Sequence, residues 1–147
     1  MTFFRSHTTF ARLVLAALVF AFALTLAPAS PALAEPAAVA VRIGELAGAV
    51  TGEDVLIIGA GPIGLLALQV LLANGARRVF MADLDAERLA MAGDLGATTI
   101  DPRQHDVPKY VREATGQLGV VTSLDAVGAT VTRAQCVAAT RAGGTVL

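Results

Sequence analysis

One stretch constrains this chain more than any other. Val55-Leu56-Ile57-Ile58 is a continuous apolar run of strand length, the pattern of a strand buried on both faces. It runs straight into Gly59-Ala60-Gly61-Pro62-Ile63-Gly64, and from there into Leu65 to Ala73, a helical stretch whose only polar residue is Gln69. A Gly-x-Gly-x-x-Gly hexamer alone says little, because glycine-rich turns are common. Directly between a buried strand and a helix, it reads as a phosphate-binding turn. Gly59 allows the tight turn out of the strand. Gly61 has no side chain to hold a pyrophosphate away from the backbone, and Gly64 lets the helix pack closely on the strand. Pro62 suits a first helical turn, and the helix start offers unpaired N–H groups and a positive dipole end to an anion.

An acidic residue supplies a second test of this reading. Arg78-Val79-Phe80-Met81-Ala82 reads as the next strand and ends at Asp83, nineteen positions after Gly64. A carboxylate there binds both hydroxyls of an adenosine ribose and repels a 2′-phosphate, which favours NAD over NADP. The competing role for Asp83, capping the helix from Ala86, is better filled by Asp85. A methyltransferase also uses a glycine-rich first turn and a ribose-binding acid, but Pro62-Ile63 and the apolar strand fit a dinucleotide better.

The same rhythm continues along the chain. Helices are expected over Ala37 to Ala47, Ala86 to Leu95, Val107 to Thr115 and Thr132 to Thr140. Short strands are expected at Thr98 to Ile100 and Val120 to Ala126, with a turn at Gly143-Gly144 leading into a strand remnant at Thr145 to Leu147. Alternation of this kind specifies an α/β fold, a Rossmann-type doubly wound parallel sheet. A full sheet of this type has about six strands, so the sheet is expected to be incomplete at its C-terminal edge, which leaves unpaired strand groups for self-association.

Composition removes other classes. With 55% hydrophobic and 16% charged residues the chain is not disordered, and a net charge of −1 gives no footprint for nucleic acid. The lone Cys136 and the distant His7 and His105 leave no zinc-ligand spacing. Cys136 reads as a buried structural thiol, His105 as a surface loop residue, and Arg77-Arg78 as a solvated strand entrance.

Residues 1–34 read as a separate segment before a domain at 35–147. Arg5 and Arg12 precede fourteen uncharged residues, Leu13–Leu26, and Ala32-Leu33-Ala34 ends the segment. A basic start, an apolar core and a small-residue exit describe a secretory signal peptide or an apolar leader helix. Leu13 to Ala34 also has the length of a membrane span, although Pro28 and Pro31 interrupt it. Export, or membrane contact through Leu13–Leu26, is therefore one expectation for localisation.

The run from Val55 to Leu66 resembles the coenzyme domain of medium-chain, zinc-type alcohol and polyol dehydrogenases, with the sorbitol and threonine dehydrogenase branch the nearest. Glu35-Pro36-Ala37-Ala38-Val39-Ala40, Met81 to Ala90, Leu95-Gly96-Ala97 and Asp125-Ala126-Val127-Gly128-Ala129 are similar to further landmarks of that family. The resemblance implies a cytoplasmic protein that binds NAD. It also implies that Asp83 holds the ribose, that Arg88 lies beside the adenine or ribose, and that Ile63 lies under the pyrophosphate turn. Val127 and Gly128 would face the cofactor after the fourth strand. The plain alternatives are a solvated helix charge for Arg88 and an ordinary strand-end turn for Val127-Gly128. Glu35 would be a helix-start carboxylate or, as in some members, a residue near catalytic zinc.

The family's zinc ligands belong to a preceding catalytic domain, and this sequence carries none of them. The expectation is therefore a truncated coenzyme half, supplying a dinucleotide platform without catalytic or metal residues of its own. A non-catalytic nucleotide-binding module, exported or membrane-tethered, and a non-functional gene fragment are the alternatives.

Overall fold

The computed structural model describes residues 31–147, with side chains from residue 35 onward. The leader expected at 1–34, including Leu13–Leu26, lies outside the described residues except for the backbone of 31–34. The elements are α1 (Pro31–Leu46), β1 (Asp54–Ile58), α2 (Pro62–Ala73), β2 (Arg78–Ala82), α3 (Ala86–Asp94), β3 (Thr98–Ile100), α4 (Val107–Ala114), β4 (Val120–Asp125), α5 (Thr130–Ala139) and β5 (Thr140–Val146).

The five strands form one parallel sheet in the order β3-β2-β1-β4-β5. All five residues of β1 are buried, and the pleat divides them. Val55 and Ile57 join Val79, Met81 and Leu124 in a core with Ile43 of α1, Leu68 and Leu71 of α2 and Ala92 of α3. Leu56 and Ile58 join Phe80, Ala82 and Ile100 in a second core with Val107 and Val111 of α4 and Cys136 and Ala139 of α5. Helices thus cover both faces, as the unbroken apolar run of β1 requires.

Four expectations are corrected, three of them in the secondary structure. Helix α1 starts at Pro31 and carries Pro36 inside it, so Glu35 lies beyond the first turn and does not meet the helix dipole there. Helix α5 ends at Ala139, and Thr140 already pairs with Val120 in the sheet. The expected turn at Gly143-Gly144 is a bulge inside β5. The register jumps from Val120↔Thr140 to Thr122↔Thr145, with Gly143 at φ +77°. A Cβ on Gly144 would stand 2.7 Å from the Val121 carbonyl oxygen.

Arg77 and Arg78 are not simply solvated. Both donate to Asp54, which is 3% exposed at the start of β1, and the Arg78 guanidinium lies 4.5 Å from the Phe80 ring centroid.

The polar pair in β4 is satisfied over long range. Thr122 donates to the Ala47 carbonyl (3.0 Å), and the Ser123 hydroxyl meets that of Thr140 (2.7 Å). Cys136 is fully buried, and burial pushes its thiol up to about 11. Its thiolate fraction is then roughly a hundredfold below that of an ordinary cysteine. The native protein should resist alkylation at pH 8 and label promptly in denaturant; rapid native labelling would show that this core opens.

Candidate functional site

The strand order reverses between β1 and β4, the place where open α/β sheets leave a crevice at the carboxyl ends of their strands. The β1–α2 turn sits there. Gly59 adopts φ +109°, a conformation that resists a side chain, and its N–H bonds the Ala82 carbonyl (2.7 Å). A Cβ on Gly64 would collide with the Gly59 carbonyl oxygen, so close contact of α2 with the strand depends on that glycine. Gly61 differs from both. Apart from its chain neighbours, no atom of the described residues lies within 4 Å of the position its Cβ would take, so nothing among them requires a glycine there. A ligand approaching the backbone would.

Helix starts separate the four elements around the sheet. Asp85 accepts from the Glu87 and Arg88 N–H groups at α3, and Asp106 from Lys109 N–H at α4. At α5 the Thr132 hydroxyl accepts the Ala129 N–H, with Asp125 behind it. Helix α2 starts at Gly61 with Pro62 at its first position and, like α5 at Ala129, has no side-chain cap among the described residues. Its N–H groups and positive end are therefore open to an outside anion.

Asp83 is tied to this turn. One carboxylate oxygen accepts the Ala60 N–H at 2.6 Å and the other the Asp85 N–H at 2.9 Å. Two of a carboxylate's roughly four acceptor positions remain for other donors.

On the far side of Gly59 lies the chain after β4. A Cβ on Gly59 would be 2.9 Å from Val127 Cγ2. Val127 and Ile63 are 57% and 41% exposed, an apolar pair beside the crevice. Gly59, Gly61, Pro62, Ile63, Gly64, Asp83, Val127 and Gly128 thus gather at the ends of β1, β2 and β4. Arg88 is exposed in the first turn of α3, its Nε 3.7 Å from Asp85.

Sequence reasoning missed the carboxylate that organises the β4–α5 loop. Asp125 Oδ1 accepts from Val127 N–H (3.1 Å), Gly128 N–H (2.9 Å) and the Thr132 hydroxyl (2.9 Å). Burial alone would raise its pKa; these bonds and the Arg133 charge outweigh it and hold the carboxyl below its usual range. An aspartate two and three residues before exposed amides is the local signal that was available.

At the opposite end of the sheet, Arg77, Arg78, Gly96, Thr98 and Ala114 line a shallow, open depression. Its arginines are already engaged by Asp54, and it lies away from the glycine turn.

A family model described as zinc-binding dehydrogenase matches residues 62–147. The chain belongs to the zinc-binding dehydrogenase family. It is 42% identical over 80 residues to L-threonine 3-dehydrogenase of Francisella tularensis subsp. novicida (strain U112), covering 51% of this chain and 23% of that protein. It is 38% identical over 122 residues to L-idonate 5-dehydrogenase of Vitis vinifera, covering 78% and 33%. The structure of a protein described as a zinc-binding dehydrogenase from Sinorhizobium meliloti 1021, bound to NADP, matches with 35% identity and a TM-score of 0.76 over 84% of this chain and 37% of that one.

The chain therefore spans about a quarter to a third of the curated relatives it matches. Zinc-binding dehydrogenases are NAD(P)-dependent, and the Pro36–Leu147 unit is the coenzyme-binding domain of such an enzyme, which sets the methyltransferase reading aside. Among the described residues, no three of His, Cys, Asp or Glu stand together as a metal site requires, so the family's zinc does not fit them. No helix among them is long and apolar enough to cross a membrane.

Proposed function

We propose that this chain binds NAD(H) in preference to NADP(H), as the coenzyme platform of an alcohol or polyol dehydrogenase. The observation that carries the reading is the 2.6 Å bond from Ala60 N–H to Asp83, which holds a ribose-binding acid against the phosphate-binding turn. Gly59, Gly61 and Gly64 shape that turn, and Pro62 opens the uncapped helix whose N–H groups would receive the pyrophosphate. Ile63 and Val127 give the crevice apolar walls. Asp83 would take the ribose hydroxyls and repel a 2′-phosphate, as Asp85 two residues on and Asp101 just after β3 would also do. Arg103 offers that phosphate little, since its guanidinium is already paired with Asp101.

When bound, the coenzyme supplies hydride acceptance and donation. The residues of this chain position it and leave the substrate oxygen to groups outside the described residues. The alcohol or polyol class rests on the relatives alone.

The test is a titration of the 147-residue chain with NADH and NADPH, followed by cofactor fluorescence, since the chain has no Trp. Saturable NADH binding, weaker for NADPH, is expected. Asp83→Ala should weaken NADH by at least about tenfold, the worth of a hydrogen bond to a charged group. Equal affinity for the two coenzymes would end the NAD preference, and binding of neither would end the reading.

A further inference from the structure

Val127 presents a puzzle of placement. Its side chain leans against Gly59, yet it is 57% exposed, so burial is not what puts it there. The last sheet bond between the two chain segments is Ala126 N–H to the Ile58 carbonyl, at 2.8 Å. Beyond it the backbone is gripped by one carboxylate. Asp125, whose side chain is 6% exposed, takes the Val127 and Gly128 amides and the Thr132 hydroxyl on a single oxygen, with Arg133 Nε 3.9 Å from the other. Arg133 also donates to the Gly128 carbonyl (3.2 Å), which holds the loop from its other side.

From this geometry we infer that Asp125 is a positioning residue for coenzyme binding. It fixes the β4–α5 loop against the glycine turn and so sets the width of the crevice between β1 and β4. The inference rests on the dinucleotide reading above. It also defines what the loop offers a coenzyme. The Val127 and Gly128 amides are spent on Asp125, and α5's positive end already faces a carboxylate. The loop therefore meets the ligand with the Val127 side chain, while the uncapped start of α2 offers its amides to phosphate.

The experiment compares the full chain with Asp125→Asn, Thr132→Val and Thr132→Ser. Each is titrated with NADH, and the backbone amide resonances of Gly59 and Gly128 are recorded without ligand. Asp125→Asn should weaken NADH by about tenfold and Thr132→Val by about threefold, as charge-assisted and ordinary hydrogen bonds suggest. Thr132→Ser, which keeps the hydroxyl, should restore binding. The Gly59 amide should shift in Asp125→Asn even without ligand, because Val127 moves off it.

A folded Asp125→Asn protein that binds NADH within twofold of the unsubstituted chain, or leaves the Gly59 amide in place, overturns the proposal. If Asp125→Asn does not fold, equal affinities of the valine and serine variants overturn it. Failure of the unsubstituted chain to bind either coenzyme overturns the dinucleotide reading itself, and this role with it.

Discussion

Gly64→Ala should cost about 3 kcal/mol of stability and roughly a hundredfold in dinucleotide affinity. The added methyl would collide with the Gly59 carbonyl oxygen, with the Gly59 carbonyl carbon 3.1 Å away and Ile57 Cγ2 3.5 Å away. A flexible side-chain tip would move aside; this oxygen belongs to a backbone held by the Gly59 N–H to Ala82 bond at the end of β2. The helix must therefore lift from the strand, which opens the core under Leu68 and Leu71 and carries the α2 amides away from the phosphate. Gly61→Ala is the matched comparison. Its φ of −74° and ψ of −179° suit any residue, and beyond its chain neighbours its Cβ would meet nothing within 4 Å among the described residues. That variant should unfold at the same denaturant concentration as the unsubstituted chain while binding NADH at least about tenfold more weakly. Undiminished binding by Gly61→Ala would show that no pyrophosphate approaches the backbone there, and native stability in Gly64→Ala would show that the helix start has room to shift.

The contrast between these two glycines also shows how far a sequence can be read. Both belong to the same hexamer, and that hexamer with its flanking strand and helix is local information. So is Asp85, whose distance from the helix it caps is fixed by the chain. The unbroken run Val55–Ile58 was legible because a strand between two helical layers has no polar face.

What stayed hidden depends on partners far along the chain. Thr122 and Ser123 look misplaced in a buried strand until Ala47 and Thr140 supply their hydrogen bonds. Gly143-Gly144 has the composition of a turn, and only pairing with β4 on both sides makes it a bulge. Asp125 belonged to a recognised landmark, but its role requires Val127 to be brought back onto Gly59, 68 positions earlier. The adjacent arginines likewise read as solvent-facing until Asp54 is placed beside them.

That last cluster carries the other large effect, and it separates stability from binding. Asp54 is 3% exposed and accepts Arg77 Nε (3.0 Å), Arg77 Nη2 (2.6 Å) and Arg78 Nη2 (2.8 Å). Arg78 Nη2 also donates to the Ala114 carbonyl (2.9 Å), while its buried Nε has no hydrogen-bond partner among the described residues. The guanidinium is thus held in a partly desolvated place chiefly by the Asp54 charge. Asp54→Asn removes that charge without removing bulk, and should cost about 3 kcal/mol near neutral pH, the lower end for one partner of a buried ion pair.

The pH dependence identifies the cause. Burial pushes the Asp54 carboxyl up, but the hydrogen bonds from Arg77 and Arg78 and then their charges outweigh it, so its pKa is lowered in the folded state. Its stabilisation is then fully present above the unfolded-state value of about 3.9 and is lost as pH falls through the lower folded value. Asp101, lowered to about 2 chiefly by its bond from Arg103, and Asp125, also lowered, act in the same direction. Both are common to the two proteins and cancel in the difference. Urea unfolding from pH 7 to pH 3 should therefore show the gap between the unsubstituted chain and Asp54→Asn narrowing below about pH 4. A gap that stays constant with pH would mean that the substitution acts through shape rather than charge. Because Asp54 lies a five-residue strand, about 15 Å, from the glycine turn, the folded variant should keep its NADH affinity. A loss of affinity at constant fold would instead couple the two ends of β1.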